Sequence, residues 1–124
     1  MKVCFLVMAH HQPKVFHKLL DCLTVANCEV AVHIDRRSEF RQFVRSGNRV
    51  HFMRDRQKVH WAGWSQTRAI LGLMRFALRA TDGDYFVLLA GTDFPIKHPS
   101  LFVEHLESCW PSNFINHYPV VPGI

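Results

Sequence analysis

Three polar clusters follow apolar runs in this chain, and their residue types suit chemistry. His10 and His11 follow Val3–Ala9, His33 and Asp35 close Glu29–Ile34, and Gly91-Thr92-Asp93 closes Tyr85–Ala90. Histidine and aspartate are metal ligands, proton carriers and hydrogen-bond partners for sugars. In open α/β sheets, ligands sit outside the carboxyl ends of the strands. Gly91 allows a close backbone approach, and Asp93 places a carboxylate beside it. The same Asp93 suits a turn-capping role equally well.

These residues support more than one chemistry. His33-x-Asp35 on a strand turns both side chains to one face, as a ligand pair requires. A metal-dependent hydrolase built on His10, His33, Asp35 and Asp93 is therefore one reading. No HExxH or EF-hand pattern supports it, and nine histidines make chance pairs common. A second reading takes Asp35 as the acceptor for ribose hydroxyls or a base; the plain alternative is a carboxylate at a helix start. Trp61 and Trp64, with Gly63 and Ser65 in the same segment, offer a flat apolar surface for a sugar or base. The alternative is a loop pinned to the core by its aromatics. Arg54, Arg56 and Lys58 read as an exposed basic loop. Asp93 is the best placed carboxylate for a general base, and no Ser-His-Asp or Cys-His arrangement can be argued from spacing.

The elements that must position these groups alternate in type. Val3–Ala9 is a buried strand, and Pro13 suits the first turn of a helix carrying Val15, Phe16, Leu19, Leu20 and Leu23 on one face. Asn27 ends that helix region. Glu29–Ile34 is the next strand; residues 36–45 read as a short helix with Phe40, Phe43 and Val44 inward, stopped near Gly47. Val50–Met53 is a short strand. Ser65 suits the N-cap of a long helix through Ala80, with Ile70, Leu71, Met74, Ala77 and Leu78 as its buried stripe. Gly72 in that helix implies close packing against the sheet. Tyr85–Ala90 reads as a central strand buried on both faces. Pro99 opens a last helix with Phe102, Leu106 and Cys109 on one side, and Asn113–Asn116 reads as the start of another strand.

This alternation predicts one α/β domain over residues 1–124, with a Rossmann-like, mostly parallel sheet flanked by helices. The first turn, Ala9-His10-His11-Gln12-Pro13, lacks a glycine-rich fingerprint, which disfavours a dinucleotide site; no P-loop occurs. The net charge of +5 favours anionic partners, but the basic residues are too scattered for a nucleic-acid binder. Four cysteines without ligand spacing read as free thiols. Met1-Lys2 leads straight into a strand too short for a signal peptide, and no stretch is long enough to span a bilayer, which reads as cytoplasmic. The apolar end, Pro119–Ile124, reads as a cut through a larger protein.

Four blocks, in order, resemble the core-2/I-branching β-1,6-N-acetylglucosaminyltransferases and the related peptide O-xylosyltransferases. They are Val7–His10; Ala31–Asp35 with Ser38; Val59–Ser65; and Tyr85–Lys97, YFVLLAGTDFPIK. The last is the most specific. Ala62 stands where the family commonly has Gly, and Ala90 where Ser or Cys is common.

The resemblance implies a GT-A-like fold and inverting transfer of a sugar from a UDP-sugar to a hydroxyl of a glycan or protein. It implies no metal and no other cofactor, since Thr92-Asp93-Phe94 offers a single Asp. The donor would lie along His10, His33 and Asp35, with Trp61, Gly63, Trp64, Ser65, Gly91 and Asp93 on its sugar side. The family's general base and diphosphate-holding residues would fall beyond Ile124, so this chain resembles the donor-side half and is expected to be inactive alone. Within a longer eukaryotic protein the location would be the Golgi or a membrane. A non-catalytic nucleotide- or glycan-binding module is the alternative. A sheet edge left open where the missing half would pack is expected to favour homo-oligomers.

Overall fold

The computed structural model describes residues 1–122; Gly123 and Ile124, the end of the apolar tail, lie outside the described residues. Four parallel strands are β1 (Val3–Ala9), β2 (Cys28–Ile34), β3 (Val50–Phe52) and β4 (Tyr85–Ala90). They lie in the order β3-β2-β1-β4, with Val3 opposite both Cys28 and Tyr85. Helix α1 (Pro13–Leu23) and helix α3 (Pro99–Cys109) cover one face, and α2 (Trp64–Ala80) covers the other. This is the α/β, Rossmann-like arrangement that the alternating pattern predicts, and it is consistent with a GT-A-like domain.

Strand parity divides the core. Val3, Phe5, Val7 and Ala9 of β1 pack with Phe16, Leu19, Leu20 and Leu23 of α1 and Val103 and Leu106 of α3. Cys4 and Leu6 turn the other way, onto Ala31, Met53 and the Leu73 and Ala77 positions of α2. Alternate residues face opposite sides of a sheet, so the unbroken apolar run of β1 serves two layers. The four cysteines are free. Among the described residues no helix is long and apolar enough to cross a membrane.

Several expectations fail for physical reasons. Residues 36–45 do not form a helix. Ser38 N–H bonds back to the Asp35 carbonyl in a turn, and only Phe40–Gln42 makes a single 3-10 turn. Phe43 is buried there, but Val44 is exposed. The inner face of α2 is Ala69, Leu73 and Ala77, whereas Leu71, Met74 and Leu78 lie outside. Two small alanines let α2 seat closely on β1 and β2, so the bulkier residues are not the ones turned inward. Gly72 meets the Met53 methyl at 3.3 Å. Strand β4 is an edge strand rather than a central one, with Leu88 45% exposed. In α3 the inward residues are Pro99, Val103 and Leu106, while Phe102 lies at the margin. Residues 113–116 carry no strand.

Candidate functional site at the strand ends

The carboxyl ends of β1, β2 and β4 are tied together by backbone bonds. Asp35 N–H donates to the Ala9 carbonyl at 2.9 Å, and Gly91 N–H donates to the Met8 carbonyl at 2.8 Å. Ser38 Oγ donates to the His10 carbonyl at 2.6 Å. A Cβ on Gly91 would sit 2.8 Å from the Ala9 Cβ and 3.1 Å from its Cα. The close approach allowed by Gly91 is therefore to the neighbouring strand.

His33 and Asp35 do share a side, and they use it to hold a strap. Gln57 N–H donates to His33 Nε2 at 2.9 Å, and Val59 N–H donates to Asp35 Oδ2 at 3.1 Å. Between them, Arg36 N–H donates to the Gln57 carbonyl at 3.0 Å. Residues 57–59 thus cross the end of β2 at alternate positions matching 33 and 35. His33 is fully buried, and burial pushes its pKa down against the pull of Asp35. Its Nε2 must be unprotonated to accept from Gln57.

Asp35 is almost fully buried, and each carboxylate oxygen accepts twice. Oδ1 accepts from Arg37 N–H at 2.9 Å and Arg37 Nε at 3.1 Å. Oδ2 accepts from Arg37 Nη2 at 3.0 Å as well as from Val59. Burial works to raise this carboxyl, but the bonds from the Arg37 side chain and backbone and from Val59 outweigh it and hold it at about 2. Arg37 also donates through Nη2 to the Val59 carbonyl. Its side chain is 52% exposed, and its Nη1 makes no hydrogen bond among the described residues. A fork held on one edge by a carboxylate leaves the other edge available to an anion.

Beyond the strap the chain makes a tight turn. Gly63 N–H bonds to the His60 carbonyl, and His60 N–H donates to Ser65 Oγ at 2.8 Å. Ala62 N–H donates to Gln66 Oε1 at 3.0 Å. Ser65 therefore braces the turn instead of capping α2, whose N-cap is Gly63 without a side-chain bond. A Cβ on Gly63 would meet the His60 carbonyl oxygen at 3.2 Å. Trp61 is 89% exposed and Trp64 71% exposed, so neither pins the loop to the core. His10 and His11, both exposed, stack at 4.0 Å. Desolvation and then the neighbouring His11 lower the His10 pKa.

Asp93 closes a turn at the end of β4. Its Oδ2 accepts from Ala90 N–H at 2.8 Å, and its N–H donates to the Ala90 carbonyl at 3.0 Å. It also stands on the rim of a cavity of about 600 Å³ between α1, α3 and residues 93–98. That cavity is walled by Phe5, Leu19, Val87, Leu89 and Phe102, lies on one face of the sheet, and shares only Asp93 with the residues of the strand ends.

The strand ends thus bring together His10, His33, Asp35, Gly91 and, through Val59, the segment Trp61–Ser65. Arg37 does not stand out as a site residue in the sequence; the signal for it is a basic residue two positions after an aspartate that turns the chain. Arg56, expected in an exposed basic loop, is not solvated. Arg56 Nη1 instead donates to the Asp35 and Ser38 carbonyls, and its guanidinium lies 4.6 Å over the Phe40 ring. His33 and Asp35 are engaged with the strap, and no group of three His, Cys, Asp or Glu among the described residues could hold an ion.

The sequence profile of the core-2/I-branching enzymes matches residues 3–121, and that span holds every element above. The chain belongs to the core-2/I-branching enzyme family. It is 24% identical, over 98% of its length, to the beta-1,3-galactosyl-O-glycosyl-glycoprotein beta-1,6-N-acetylglucosaminyltransferase of Bos taurus. It is 23% identical, over 94% of its length, to a xylosyltransferase of Ciona intestinalis. These alignments cover 33% and 15% of the two relatives, so this core-2/I-branching chain spans a third or less of their lengths.

Proposed function

We propose that this chain is the donor-binding part of an inverting glycosyltransferase. Its donor is a UDP-sugar carrying N-acetylglucosamine or xylose, and its acceptor is a hydroxyl on a glycan or protein. In the transfer, the sugar C1–O bond to UDP breaks and a C1–O bond to the acceptor forms. The acceptor proton passes to a general base supplied from outside this chain, so the chain alone binds donor without turning it over.

The observation that carries this reading is the rim at the strand ends. It presents a carboxylate-held arginine, two exposed tryptophans on a braced turn and an exposed histidine pair. Arg37 meets donor phosphate charge through Nη1, which suits a reaction whose leaving group is stabilised by cationic side chains rather than a metal. Trp61 and Trp64 offer faces for the base or sugar. Gly63 and Ser65 shape the turn that displays them, His10 lines the same rim, and Gly91 and Asp93 bound it at β4. Asp35 and His33 act through the strap and Arg37 as positioning residues.

Calorimetric titration with UDP, UDP-N-acetylglucosamine and UDP-xylose, with and without manganese, tests this. The expected result is metal-independent binding that Arg37→Ala and Trp61→Ala each weaken by about tenfold, a loss of roughly 1.4 kcal/mol. Asp35→Ala should weaken it too, because Arg37 loses its anchor. A folded chain that binds none of the three contradicts the proposal.

A further inference from the structure

The strap over the end of β2 has no regular structure of its own: residues 56–60 belong to no helix or strand. Bonds to β2 and to the turn after it hold the strap down. Gln57 is tied to His33 and Arg36, and Val59 to Asp35 and Arg37. One residue later the chain enters the His60–Ser65 turn, which displays Trp61 and Trp64. How the strap is seated therefore sets where those rings stand.

The ties respond differently to protons. The Asp35 carboxyl is held at about 2, so it stays ionised at neutral and mildly acid pH and keeps Arg37 and Val59. The Gln57 tie uses the Nε2 lone pair of His33, which is where a neutral imidazole takes up a proton. A solvent proton bound there turns the acceptor into a donor, facing the Gln57 N–H across 2.9 Å. The other ring nitrogen gives no relief, because Nδ1 is buried and has no hydrogen-bond partner among the described residues.

The surroundings of His33 are also hostile to an imidazolium. His33 lies opposite Met8 of β1, on the sheet face covered by α2. The inward residues of α2 are Ala69, Leu73 and Ala77, and Met53 after β3 packs in the same layer. The charged groups that act on the ring are Asp35 at the end of its own strand and Asp55 and Arg56 of the strap. The two carboxylates favour the proton, whereas burial, first of all, and then Arg56 oppose it. A charged His33 needs water, and lifting the strap supplies it.

We propose, on the basis of the donor-binding reading above, that the strap is a proton-operated gate on the donor rim. Proton uptake by His33 releases residues 57–59 and the tryptophan turn that follows, so acid weakens donor binding. By reciprocity, donor binding seats the strap and expels the proton.

Calorimetric titration of this chain with UDP-N-acetylglucosamine from about pH 8 to about pH 5 tests the gate. The diphosphate of that donor is esterified at both ends and keeps its charge over this range, whereas a terminal phosphate such as that of UDP titrates at about 6. Only chains with the strap seated bind. Affinity should therefore fall about tenfold for each pH unit below the midpoint of strap opening. That midpoint lies below about 6.5, the value of a hydrated imidazole. The exposed His10, His11 and His60 act with the opposite sign, since their protonation adds positive charge that attracts the donor. His33→Gln offers Gln57 an amide oxygen that takes no proton here, so the acid-side fall should disappear in that variant. If His33→Gln does not fold, titrations of the native chain in buffers of different ionisation enthalpy carry the test: donor binding near the midpoint should release protons. Affinity that is constant or rises on acidification, a fall that persists in folded His33→Gln, or proton uptake on binding overturns the gate and leaves the donor site standing. No binding even at about pH 8 overturns the donor reading and the gate with it.

Discussion

Gly91, Ala62 and Asp35 show how much single residues decide at this site. Gly91→Ala drives a methyl into Ala9, and no flexible side chain is there to yield. Such overpacking costs about 1–3 kcal/mol, so a thermal melt should show a clearly lowered midpoint. Ala62 sits at φ 58, a left-handed conformation that costs a side chain about 1–2 kcal/mol. The same resemblance that marks Ala62 as a departure from Gly thus has a backbone reason. Ala62→Gly should stabilise the protein, by less than that strain because the unfolded chain also gains freedom. Asp35 has a folded pKa of about 2, below its unfolded value of about 3.9. Its stabilisation is therefore complete above about pH 4 and is lost as the pH falls toward 2. Asp35→Asn should cost about 2 kcal/mol at neutral pH and almost nothing near pH 2, as denaturant titrations at the two pH values would report.

At the scale of elements, the strap over the end of β2 is the part that responds to pH. The strap depends on a neutral His33, whose pKa burial lowers. The folded value lies below the unfolded one of about 6.5, so this contribution is present above about pH 6.5 and drains away as the pH falls. The protection of the Gln57 amide, taken relative to the intrinsic exchange rate at each pH, should fall on acidification before that of the β1 ladder; equal changes in protection at both would contradict the strap's dependence on His33. Local pattern made most elements legible: β1 follows from an uninterrupted apolar run, β2 from a mostly apolar stretch rich in branched residues, and α1 from a helical stripe. It failed at residues 36–45, where a turn bonded through Asp35 and Ser38 overrides a helical-looking period. It failed on α2 because hydrophobicity favoured Leu71, Met74 and Leu78, whereas close seating favoured small residues. It placed β4 centrally because an apolar run does not say which neighbour is missing. At the site, the strand-end positions of His33 and Asp35 were legible. Their engagement with residues 57–59 was not, because it depends on partners more than twenty positions away.

For the whole molecule, membership in the core-2/I-branching family and a spliced set of strand ends converge on one surface. The match spans nearly the whole chain but a third or less of the relatives' lengths; donor recognition is the share of the reaction proposed for this chain. The apolar cavity on the α1/α3 face is the competing location for a small molecule. Amide chemical-shift mapping during titration with UDP separates the two. The expected shifts centre on His10, Arg37, Val59–Ser65 and Gly91, with the cavity residues Leu19 and Phe102 unmoved. Shifts centred on Leu19, Leu89 and Phe102, or none at saturating UDP, would contradict it.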